Sequence, residues 1–146
     1  MIKPSGETVL LYNLDNDKGR KLRFLLVRMG MRIRVVNPEE YSLPVGVLAG
    51  MKDVVPEKAD AEAEVFSDEM MVMKGFSNSR LDQFLKGMRK AGIERVDYKA
   101  VLTPTNCRWN SWQLYQEIRK EHEAIQPELD VIRAMVDARN SQISQL

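Results

Sequence analysis

The sequence predicts an α/β fold built from two βαβ units in tandem, and three observations lead there. Two stretches, TVLLYNLDNDKGRKLRFLLVRMGMRIRVV and EMMVMKGFSNSRLDQFLKGMRKAGIERVDYKAVL, follow one plan: a short apolar run, a capping turn, an amphipathic helix, a glycine, and a second short apolar run. The first run of each, Val9 to Tyr12 and Met70 to Met73, is continuously apolar, as in a central strand covered on both faces. The second run of each alternates apolar and polar residues, the period of a half-exposed edge strand.

Each element follows from its own pattern. In the first unit, Leu22, Leu25, Leu26 and Met29 recur at i, i+3, i+4, i+7, and Leu81, Phe84, Leu85 and Met88 repeat that spacing in the second. Gly30 and Gly92 then stand where a left-handed helix cap is wanted. The two glycines align at a shift of 62 residues, whereas the two apolar stripes align at 59. The edge strands read as Met31, Ile33, Val35 against Arg32, Arg34, and as Val96, Tyr98, Ala100 against Asp97, Lys99.

The connection between the units, Asn37 to Glu69, is far longer than a hairpin loop. Its first part predicts a short helix near Ser42 and Pro44 that ends by Gly50. Its second part, 51–69, reads as an acidic, solvated linker. After the last strand, the TPTN turn leads into a helix from about Trp109 to Ile125, and Pro127 opens a separate helix to about Asn140. The organisation expected is one α/β domain over 1–126 and a C-terminal helical extension over 127–146. A parallel sheet in the order 2-1-3-4 is favoured, because the long connection can supply a crossover; a ferredoxin-like βαββαβ sheet is the alternative.

Composition narrows the function. The net charge is +1, so no global field draws the chain to a polyanion. One cysteine, Cys107, and a start without an apolar signal-peptide core predict a cytoplasmic protein, and no apolar run is long enough to cross a bilayer. Cys107 and the single histidine, His122, flank a helix whose span from Asn110 to His122 alone is about 18 Å, so they form no intramolecular dyad. The acids of the linker lack the spacing of a calcium loop. No catalytic residue, metal site or cofactor is therefore assigned.

The basic run 18–38, with Lys18, Arg20, Lys21, Arg23, Arg28, Arg32 and Arg34 and no acids, lacks the interleaved aromatics of a nucleic-acid footprint. Phe24 and Val27 fall off the main helical stripe and need a second cover, either the C-terminal helix or another subunit of a homo-oligomer. In an all-parallel sheet the strand-end turns share one rim, which is where open α/β sheets bind ligands. Asn13, Asp15, Asn16, Ser77, Asn78, Thr103, Thr105 and Asn106 then become candidate ligands for a small anion, although each type is also an ordinary helix cap. The expected function is a binding or regulatory module. The alternatives are a small enzyme or sensor for an anionic metabolite or nucleotide at that rim, and nucleic-acid binding through 18–38.

Four stretches read together, VLLYNLDNDKGRK, PVGVLAG, MVMKGFSNSRLDQFL and AVLTPTNCRWNSWQLYQEIRKEHEA, resemble the bacterial family labelled domain of unknown function 3783. The resemblance runs from about Val9 to Ala124, and the second unit with its TPTN turn is the most distinctive part. It implies a label and no active-site residues.

Overall fold

The computed structural model describes residues 6–55 and 63–123. Its elements are β1 (Thr8–Tyr12), α1 (Asp17–Arg28), β2 (Arg32–Val36), α2 (Val45–Leu48), β3 (Met70–Lys74), α3 (Asn78–Lys90) and β4 (Tyr98–Val101). A further helix, α4, covers 111–123. The four strands form one sheet in the order β2-β1-β3-β4. Strand order and the central and edge positions are those expected. The sheet is mixed, however: β1 and β2 are parallel, β3 and β4 are parallel, and the two central strands run antiparallel. The ferredoxin-like alternative is also set aside, since that fold splits each βαβ unit around another strand and here each unit's strands are neighbours.

Handedness explains how the reversed unit packs. A βαβ crossover is right-handed in nearly all proteins. In an all-parallel sheet of this order, the two crossover helices would lie on opposite faces; with the second unit reversed, the same hand places both on one face. Val9 and Leu11 of β1 and Met71 and Met73 of β3 share one core with Leu22, Leu25 and Leu26 of α1 and Phe84 and Met88 of α3. At the helix crossing a Cβ on Gly87 would stand 3.2 Å from Leu25 Cδ1, so glycine lets the two helices meet there.

The other face carries Leu10, Tyr12, Met70 and Val72, covered by Val45 and Leu48 of α2 and by Leu114, Tyr115 and Ile118 of α4. The long connection does not carry the chain to the far end of the sheet. Tyr12 pairs with both Val36 and Met70, so β2 ends and β3 begins at the same end, and Tyr41, Val45, Leu48 and Phe66 of the connection roof the second face. Within the supposed solvated linker, Phe66 is buried and stacks on Tyr41 at 4.7 Å and on Tyr115 at 4.1 Å. α2 stops before Gly50 as expected, but its cap position is Pro44 and not Ser42. α4 is capped by Asn110, which exchanges bonds of 2.8 and 2.9 Å with Gln113. The helix expected over 127–140 lies outside the described residues.

The two units are related by an approximate two-fold axis through the sheet. Leu10 pairs directly with Val72, its counterpart 62 residues on, so the axis passes between them. The same offset holds through both helices to the bonds that close them, Met31 N to Leu26 O and Ile93 N to Met88 O. It maps Leu22 onto Phe84 and Leu26 onto Met88, all buried. The stripe offset of 59 is thereby corrected: Leu81 and Leu85 are only partly buried, at the margin of the core. The correspondence ends after Ile93. Thr8 pairs with Arg32 but Met70 pairs with Tyr98, so the second unit has four extra residues, 94–97, before its edge strand.

Candidate functional site

Antiparallel pairing of β1 with β3 divides the expected rim. Asn13, Asp15 and Asn16 follow β1 at one end of the sheet, while Ser77, Asn78, Thr103, Thr105 and Asn106 follow β3 and β4 at the opposite end. The eight residues do not converge on one ligand.

Most of them hold the backbone. Asn13 adopts a left-handed φ of 57° and donates to Phe66 O at 2.8 Å and Asp68 O at 3.0 Å, fastening the connection to the end of β1. Asn16 caps α1 by accepting from Gly19 N at 2.9 Å and donates to Glu69 at 2.8 Å. Ser77 caps α3 through Arg80 N at 3.1 Å. Thr103 and Asn106 exchange bonds of 2.8 and 3.0 Å, and Asn106 also donates to Val101 O at 3.1 Å. Asp15, Asn78 and Thr105 are exposed.

Among the described residues, concavities open at two places along the β3–β4 side of the second unit. A hollow of about 210 Å³ at the ends of β3 and β4 is lined by Lys74, Thr103, Arg108 and Asp53 among others, and Thr103 alone of the eight residues reaches it. Lys74 Nζ there donates to Ala49 O at 3.3 Å. A larger pocket, of about 350 Å³, opens between α3 and β4. Met71, Leu85, Met88, Ile93 and Val96 give it an apolar lining, and Arg89, Arg95 and Lys99 bring three cations to it. That volume lies at the lower end of the range usual for small-molecule sites. Burial, reinforced by the Arg95 charge and opposed by Asp97, holds the Lys99 ammonium below its ordinary pKa.

The two-fold relation shows what made this pocket. Val9 faces Ile33 across the β1–β2 pair, whereas its counterpart Met71 faces Lys99 across β3–β4. A cation thus stands where the first unit has Ile33, a partly buried side chain packed against the core, and Arg95 and Val96 of the extra four residues line the opening. The alternation around Lys99 reads in the sequence as an ordinary exposed strand residue, so the pocket had no local signal.

Cys107 is buried with its Sγ 3.4 Å from Pro104 O, and His122 stands edge-on to Tyr98 at 5.3 Å. Among the described residues no group of three His, Cys, Asp or Glu side chains could hold a metal ion, and no helix is long and apolar enough to cross a membrane.

These features define an α/β chain of two βαβ units whose second unit carries an apolar pocket edged by three cations. The family described as domain of unknown function (DUF3783) matches residues 69–125, a stretch that contains every residue lining the larger pocket. No curated protein and no solved structure matches the chain.

Proposed function

We propose that this protein is a cytoplasmic binding module whose ligand is an anion with an apolar body, seated between α3 and β4. The observation that carries this reading is the placing of the partly buried Lys99 in a pocket where five apolar side chains meet Arg89 and Arg95. An apolar ligand alone would leave Lys99 desolvated without a counter-charge, and a small hydrophilic anion would leave the lining wet. A carboxylate or phosphate bearing a short hydrocarbon satisfies both, with Arg89 and Arg95 at hand for the same charge.

The reading moves the anion expected at the strand-end rim to the side of the second unit. Thermal unfolding with octanoate, octyl phosphate and neutral octanol tests it. The two anions should raise the melting temperature, since a ligand at a hundred times its Kd stabilises by about 2.7 kcal/mol, and octanol should do less. Lys99→Met keeps the shape of the site and should reduce the preference for the anions, the remainder resting on Arg89 and Arg95. Equal effects of all three ligands on the native chain, or an unaltered preference in Lys99→Met, would contradict the proposal.

A further inference from the structure

We infer that the outer face of α1 is a docking surface for an acidic, amphipathic segment of another protein. Phe24 and Val27 are 67% and 66% exposed. They project about 60° apart on the side of the helix away from buried Leu22 and Leu26. Arg20, Lys21, Arg23 and Arg28 surround them on the same side. Two apolar anchors spaced i, i+3 within a ring of cations match the pattern by which helical surfaces take a partner helix.

Charge selects the occupant. The basic run could have been balanced by the acids of the connection, but among the described residues that balance is limited to Lys18 with Glu69 at 2.7 Å and, nearby, Arg34 with Glu40. Arg20 pairs with Asp17 at 3.5 Å, while Lys21, Arg23 and Arg28 form no ion pair among the described residues. A second copy presenting the same face would set cations against cations, and like charges directly opposed destabilise an interface. A nucleic-acid backbone would neutralise the ring but leave Phe24 and Val27 wet at its centre. An anionic bilayer would cover both, but two side chains are a small apolar anchor and the net charge of +1 gives no long-range attraction. A protein segment with leucines on one side and carboxylates flanking them meets both requirements.

The probe is a helical peptide of about 20 residues with Leu at i, i+3, i+4, i+7 and Glu at its flanking positions, beside a control in which every Glu is Gln. Fluorescence anisotropy with the full chain should show the Glu peptide binding at least tenfold more tightly than the Gln peptide, with an affinity that falls as salt is raised. The double variant Phe24→Ser, Val27→Ser should weaken binding at least tenfold while its circular dichroism is unchanged, because both positions are exposed. Equal binding of the two peptides, an unaffected double variant, or no binding would overturn the inference. So would tighter binding to phosphatidylcholine–phosphatidylserine vesicles or to a DNA duplex than to the peptide, or a dimer that Phe24→Glu dissociates.

Discussion

Lys18 and Arg80 occupy equivalent places in the two units, and each reaches across to the glutamate that opens the other unit's first strand. Lys18 bonds Glu69 at 2.7 Å, and Arg80 pairs with Glu7 while also donating to Met29 O at 2.8 Å. Their surroundings differ. The Glu7 side chain is 5% exposed and that of Glu69 is 29% exposed, with Asn16 as a further donor. Removing the cation from a buried carboxylate costs about 3 to 5 kcal/mol, whereas a wetter pair is worth about 1 kcal/mol or less. Urea melts should therefore find Arg80→Met much more damaging than Lys18→Met, and equal losses would show that the two contacts are alike. A second residue-scale expectation concerns alkali. Burial, then the hydrogen bond to Asp68 and its charge, pushes the Tyr115 hydroxyl up to about 12, and burial raises Tyr12 further still despite its bond to Ser111. Both hydroxyls keep protons in the fold that the unfolded chain gives up near pH 10. Their contribution is complete below about pH 10 and is lost as pH rises towards about 12. Tyr115→Phe should flatten that part of a stability profile measured by denaturant melts, and an unchanged slope would remove Tyr115 from the account.

At the scale of elements, apolar periodicity located both crossover helices, and unbroken apolar runs distinguished central from edge strands. Periodicity did less well at the margins of α3. Leu81, Phe84, Leu85 and Met88 share the spacing of one buried stripe, but the two-fold axis and the crossing with α1 bury only Phe84 and Met88. Leu26→Ala, at a fully buried site, should cost about 2 to 5 kcal/mol. Leu85→Ala should cost clearly less, because Leu85 already borders the pocket and its removal enlarges an open space more than it creates a closed cavity. Matched denaturant melts compare them, and equal losses would place Leu85 in the core. The aromatic cluster of Tyr12, Tyr41, Phe66, Trp112 and Tyr115 escaped notice for a different reason. Its members are scattered along the chain, and only the folding of the connection over the sheet brings them together.

For the whole molecule, the direction of β3 was the decisive unknown. A strand buried on both faces is apolar throughout whichever way it runs, and an amphipathic helix does not declare which face of the sheet it covers. Strand order was therefore legible and strand direction was not. That one reversal separates Asn13 and Asn16 from Thr103 and Asn106, leaves the turns as caps and latches, and sets both crossover helices on a common face. It also makes the units comparable, so that Lys99 in the place of Ile33 marks where the second differs from the first beside the proposed pocket. Backbone proton contacts between the central strands, measured by nuclear Overhauser spectroscopy, test this arrangement most directly. The account predicts contacts between Thr8 and Lys74 and between Tyr12 and Met70, flanking the Leu10–Val72 pair. Contacts joining Thr8 to Met70 and Tyr12 to Lys74 would make the strands parallel, restore the single rim and contradict the account.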